Sequence, residues 1–251
     1  MSESSSQVTM TTGDVAPALA QYRWVMAIVT ASAIAWIGYN YPPYAWRIPD
    51  DMIHIGALSP ADDQARLKVV ESHNMWMNTL LKFGLAGAGM GLAGFFLNGF
   101  SALRYLQNAI LTLLSGIAAG CLAGVSGLLL RQYLNLDRPI PMISEQMRPL
   151  FADALVFMVA STLLLLPIAV LLLLQPDPQT KHKAGSIPLA GILAGIFVPF
   201  LVALIASHTS TSVFPPSGLV LTILWFSTMC LLSLILLALT GKRPANKAAR
   251  S

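Results

Sequence analysis

The sequence predicts an all-α polytopic integral membrane protein. It expects about six transmembrane helices, a glycine-packed hairpin between the second and third, and a long first loop containing an amphipathic helix. Three observations carry this. Hydrophobic residues make up 55% of the 251-residue chain and charged residues only 10%, against about 25% charged in an ordinary soluble domain. The apolar residues fall in runs of about 18–25, the length an α-helix needs to cross a bilayer. Two consecutive runs also carry glycines at helical spacing. So little polar surface cannot cover a core of this size in water, so lipid supplies the apolar solvent.

Residues 1–20, rich in Ser, Thr and Ala with Gln7 among them, read as a flexible N-terminal tail. The first span is about 22–39. Tyr22 and Trp24 bracket it at one end, and Tyr39, Tyr41, Tyr44 and Trp46 at the other, as rings that suit headgroup depth. Ala31-Ser32-Ala33 resembles a signal-cleavage site, but the stretch before Arg23 is long and acidic, unlike a secretory leader. An extramembrane segment, 40–76, opens on Pro42-Pro43. Ser59-Pro60-Ala61-Asp62 is a helix start: Ser59 can cap, Pro60 suits the first helical position, and Asp62 favours the positive end of the dipole. Leu67, Val70, Met77 and Leu81 then recur at helical spacing, with Asn74 as a polar exception. No breaker precedes Gly84, so one helix runs from Pro60 to about Asn98, roughly 58 Å. A bilayer with headgroups is about 40–45 Å thick. The helix therefore projects from the membrane or bends near Ser72–Trp76.

The remaining spans are about 77–97, 107–130, 150–174, 187–206 and 218–240. A turn with Arg104 separates the second from the third. Pro139, Pro141 and Pro149 mark the next connection, and Gln175-Pro176-Asp177-Pro178 ends the fourth span. Pro199 sits near the middle of the fifth and is expected to kink it. A hydroxyl-rich stretch, His208–Ser212, and Pro215-Pro216 lead into the sixth. Residues 242–251 form a basic tail with Lys242, Arg243, Lys247 and Arg250, suited to an anionic cytoplasmic leaflet.

Total Lys and Arg do not orient the chain, because both sides carry similar numbers. The short connection between spans five and six has none, whereas Lys181, Lys183 and the basic tail lie on the opposite side. The positive-inside rule therefore puts both termini in the cytoplasm of a cell-membrane protein, with the 40–75 segment outside.

Gly84, Gly87, Gly91 and Gly94 in span two, and Gly116, Gly120, Gly124 and Gly127 in span three, form stripes along one helix face. Glycine lets helix backbones approach closely in lipid. The spacing reads first as a packed pair within one chain, and second as a homo-oligomer interface or as helices that slide in a transport cycle.

Chemistry is thinly marked. No Asp, Glu, Lys or Arg stands at a span midpoint; Lys82, Arg131 and Asp153 lie near span ends, where long side chains reach water. That pattern disfavours a proton-coupled transporter or voltage sensor. His54, His73 and His208 share a side with Asp50, Asp51, Glu71, Glu145 and Asp153, yet none pair at ligand spacing, so no metal is expected. Cys121 and Cys230 stand alone in apolar runs. No cofactor motif is present, and no basic face interleaved with aromatics suggests nucleic acid. The expected partners are the lipid bilayer and a second membrane protein or another copy of the chain.

Ser126, Asp153, His208 and Thr209 are the candidate polar site. Gly124-Val125-Ser126-Gly127 is similar to the GxSG motif of rhomboid intramembrane proteases, which implies a Ser126–His208 dyad. The chain departs from that family: the serine lies on the third span and the histidine after the fifth, not on the fourth and sixth. The oxyanion residues of the family's second helix have no counterpart. Three functions follow in order: a non-enzymatic subunit or scaffold of a membrane complex, a small-solute transporter or channel built around Pro199, and a membrane-embedded hydrolase.

Overall fold

Alternation of long apolar runs with short proline-bearing connections produces an all-helical chain. The computed structural model describes residues 12–42, 45–98, 103–134, 148–175, 178–205, 214–216 and 218–240. Among these residues there are eight α-helices and no strand: α1 Thr12–Asn40, α2 Ala61–Gly91, α3 Ala93–Asn98, α4 Leu103–Leu134, α5 Arg148–Leu174, α6 Pro178–His182, α7 Ser186–Ile205 and α8 Leu219–Thr240. Single 3-10 turns at Asp50–Met52 and Lys183–Gly185 complete it.

Three expectations shift. Helix α1 begins at Thr12, inside the segment expected as a tail, because Ala16, Ala18, Leu19 and Ala20 are strong helix formers that carry it past the apolar run. Pro60, not Ser59, holds the cap position of α2, with no side-chain cap bond. Ser59 instead accepts the Gly56 N–H at 3.0 Å. The helix also runs through Ser72–Trp76 without a break; its one interruption is a turn at Leu92, after Gly87, Gly89 and Gly91. Pro167 and Pro199 both lie inside continuous helices, α5 and α7.

Five stretches are long and apolar enough to cross a membrane: Ala61–Phe96, Leu106–Leu134, Pro149–Leu174, Thr180–Leu204 and Leu219–Thr240. Helix α1 has the length, 29 residues, but is more polar, with Arg23, Thr30 and Ser32 along it and Asn40 at its end.

The long helices pack as a ring. α1 lies on α2, α2 on α4, α4 on α5, α5 on α7, α7 on α8, and α8 returns to α1. At the α2–α4 seam a Cβ on Gly87 would lie 2.8 Å from Gly120 Cα, and one on Gly91 2.8 Å from Leu113 Cα. A Cβ on Gly120 would come 3.0 Å from Gly87 Cα, and one on Gly116 3.1 Å from Gly91 Cα. Gly84 faces Cys121, Gly94 faces Thr112, and Gly124 faces Thr79 and Phe83. Gly127 differs: its open side holds the Phe214 ring. A second close pair has no counterpart in the sequence reading. In α7, Gly191 lies against Thr162 and Gly195 against Phe157 and Met158 of α5.

Candidate functional site

One end of the ring gathers most of the polar and aromatic side chains that are not on the outer surface. Five elements contribute: the last turn of α1, the middle of α2, the last turns of α4, the first turns of α5, and the start of α8 with the preceding 214–216 segment.

At its centre is an aromatic cluster. Tyr39 is fully buried and stands edge-on to Phe83 at 5.3 Å and to Trp225 at 5.9 Å. Phe157 meets Trp225 edge-on at 5.3 Å, and Phe83 lies 5.3 Å from Phe214. These centroid distances suit edge-to-face packing, worth about 0.5–1.5 kcal/mol per pair beyond buried area. The polar atoms of the rings are satisfied, as burial demands. The Tyr39 hydroxyl donates to the Pro216 carbonyl at 2.9 Å, and the Trp225 indole N–H donates to Ser161 Oγ at 2.7 Å. Lys82 Nζ lies 5.9 Å from the Tyr39 ring centroid, within cation–π range.

The 214–216 segment is pinned from three directions. Tyr39 holds Pro216, the Arg131 guanidinium donates to the Phe214 carbonyl, and the Phe214 ring fills the space left by Gly127. Tyr39, expected as an interfacial anchor, is thus an interior residue. Its partner is 177 positions away, which no local pattern reveals.

Two smaller polar groups flank this centre. At the α1–α8 seam, the Trp36 indole N–H donates to Thr222 Oγ1 at 3.2 Å, and Thr222 Oγ1 lies 3.1 Å from Asn40 Oδ1. On α2, the Asn78 side chain pairs with the backbone of Trp46, accepting its N–H at 3.2 Å and donating to its carbonyl at 2.8 Å. Gln64 likewise donates to the carbonyls of Ala57 and Ser59. Asn78 and Gln64 together tie the 45–60 segment along α2.

The four residues of the expected polar site fare differently. Ser126 donates its hydroxyl to its own helix, at Leu122 O (2.6 Å) or Ala123 O (3.3 Å). Asp153 is 7% exposed and is engaged in a polar or electrostatic contact. His208 and Thr209 lie outside the described residues. Of the residues that build this end of the ring, the sequence marks Tyr39 only as an interfacial anchor and does not mark Asn78, Phe83, Phe157, Phe214 or Trp225. The one usable signal was Asn78, an amide at the mouth of an apolar run. Among the described residues no group of three or more His, Cys, Asp or Glu is placed to hold a metal ion, and Cys121 and Cys230 are free thiols.

With this geometry in view, the chain matches no known family, no curated protein and no solved structure.

Proposed function

We propose that this chain is a multi-pass, non-enzymatic subunit or scaffold of a cell-membrane complex. In this reading α1 is the sixth crossing, and both termini are cytoplasmic. The observation that carries it is the filled interior: Tyr39, Phe83, Phe157, Phe214 and Trp225 occupy the centre of the ring at one end, with their polar atoms spent on internal bonds. A substrate path would need that space. The partner surface would be the projecting half of α2, residues 61–76, with the 45–60 segment tied to it by Asn78 and Gln64. Extraction from native membranes in mild detergent, followed by cross-linking, tests this. A stoichiometric partner or a self-assembly well above 26.9 kDa is expected; a lone monomer in every condition would overturn it.

A transporter or channel for a small, weakly polar solute is the second reading. It draws on Pro167 and Pro199, buried in the neighbouring helices α5 and α7. Each proline removes a helix N–H, and interrupted helices can present carbonyls to a substrate. Flux through proteoliposomes containing the purified chain would favour it over the scaffold. A membrane-embedded hydrolase is the third reading: Ser126 rests with its hydroxyl donated to its own helix backbone, and His208 lies outside the described residues.

A further inference from the structure

The segment Phe214-Pro215-Pro216 sits in the ring as a ligand would. It belongs to no helix, and among the described residues no backbone–backbone hydrogen bond ties it to one. Yet Phe214 is 2% exposed and Pro216 is buried. Side chains from four helices hold it. The Phe214 ring lies 5.3 Å from the ring of Phe83 on α2 and stands edge-on to that of Phe157 on α5 at 6.2 Å. The Arg131 guanidinium of α4 donates to the Phe214 carbonyl. The Tyr39 hydroxyl of α1 donates to the Pro216 carbonyl at 2.9 Å.

The walls are shaped for the ring. Gly116, Gly120 and Gly124 of α4 all face α2, but the atoms nearest a Cβ on Gly127 all belong to the Phe214 ring. A side chain at 127 would take the ring's place. Where the segment joins α8, Gly218 takes φ +99°, with nothing within 4 Å of an added Cβ. The joint is therefore a glycine in open space, free to turn.

The occupant's chemistry selects a ligand class. An aromatic slot calls for an aryl group. In a phenylalanine residue two carbons separate the ring from the carbonyl, and at Phe214 that carbonyl meets a guanidinium. A carboxylate in its place would pair with the guanidinium through two parallel, charge-assisted bonds. Lys82 and Arg131 outnumber Asp153 among the described side chains of this end, which suits an anion. A purely apolar guest would leave the guanidinium facing hydrocarbon, and a guest without a ring would not fill the slot. We propose that the seat of Phe214 is a binding site for a small aryl carboxylate of the hydrocinnamate type, with 214–216 as its resident occupant. The guest's ring enters between Phe83 and Phe157 beside Gly127, its carboxylate meets Arg131, and the segment swings out about Gly218. A tethered occupant competes at roughly millimolar effective concentration, so the guest binds by displacing it. The site lies at one end of the ring and needs no path through it. It goes beyond the scaffold reading and stands whether the chain is a scaffold or a transporter.

The test is fluorine NMR of ring-fluorinated hydrocinnamate with the full chain in phosphatidylcholine nanodiscs. Wild type should broaden the probe's signal saturably, and unlabelled hydrocinnamate should reverse this. Propionate, which lacks the ring, and hydrocinnamyl alcohol, which lacks the carboxylate, should not. Phe214→Ala removes the competing ring and should tighten binding about tenfold or more. Arg131→Gln in that background should weaken it about tenfold or more, the size of a lost hydrogen bond to a charged group. Competition by the alcohol equal to that by the acid, or no loss in Arg131→Gln, would overturn the proposal. So would saturable binding by neither wild type nor Phe214→Ala, and so would binding by Phe214→Ala alone, which would mark an engineered cavity. Hydrogen exchange of the wild type gives a reading that needs no variant. Saturating hydrocinnamate should speed exchange in the peptide from Phe214 to Thr222 as the segment leaves its seat. Slower or unchanged exchange there would refute displacement and with it the site.

Discussion

A methyl group added at Gly87 would press on the Gly116 carbonyl and lie 2.8 Å from Gly120 Cα. Both atoms are backbone, so nothing flexible can yield. The helices must separate or distort, and overpacking of this kind costs about 1–3 kcal/mol. Gly185 has open space around its missing Cβ, so alanine there mainly reduces the freedom of the unfolded chain, a gain of about 0.4–1 kcal/mol. Thermal unfolding in detergent should therefore show Gly87→Ala melting lower than wild type and Gly185→Ala no lower. Equal midpoints for the two would mean that the α2–α4 seam is looser than its geometry. The 3-4-3 glycine spacing was readable because glycine inside an apolar run has few other uses. Gly191 and Gly195 were not read, since a single spaced pair beside Pro199 carries little weight alone. Gly127 belonged to the ladder by spacing, yet it receives Phe214 from a distant segment, and such a partner has no trace in one dimension.

Between elements, the interior is bridged by single side chains that reach across the ring. Trp225 of α8 touches Tyr39 of α1, Phe83 of α2 and Phe157 of α5, and its indole donates to Ser161 of α5. Trp225→Phe keeps most of the ring contacts but leaves the fully buried Ser161 hydroxyl without that partner, a cost of about 1–3 kcal/mol. Trp225→Ala removes the packing as well and should cost about 3–5 kcal/mol. In the double variant Trp225→Phe/Ser161→Ala the orphaned hydroxyl is gone, so its destabilisation should be smaller than the two single losses together. Denaturant titration of the four proteins measures this; strict additivity would show that the bond couples nothing. The helices themselves were visible in the sequence because bilayer length imposes runs of about 20 apolar residues. Their ends were less so. The alanines beyond the apolar run extend α1 back to Thr12, and α2 passes Ser72–Trp76 unbroken because the local residues are adequate helix formers. Interior and interface aromatics look alike in such a chain, which is why Tyr39 was read as an anchor.

At the scale of the molecule, ring closure rests on α1, the helix least suited by composition to lipid. It meets α8 through Trp36, Asn40 and Thr222, and meets α2 where Gly89 lies 2.5 Å from Ala35 if given a Cβ. Its outward side carries Tyr22, Met26, Val29 and Ile37, an apolar stripe at helical spacing that matches a lipid-facing surface. Its inward side carries Ala27, Ile28, Ala31 and Ala35, all fully buried. A helix lying flat on the membrane would have no reason to bury one face in the bundle and turn the other to lipid along most of its length. If α1 crosses, the chain has an even number of crossings and both ends share a side. Single cysteines on a Cys121→Ser/Cys230→Ser background resolve this with a membrane-impermeant maleimide. Gly56→Cys, where the missing Cβ has nothing within 4 Å, should be labelled in intact cells. Ser4→Cys and Ala248→Cys should be labelled only after the membrane is opened. Labelling of Ser4→Cys and Gly56→Cys from the same side would show that α1 does not cross, leaving five crossings and the termini on opposite faces.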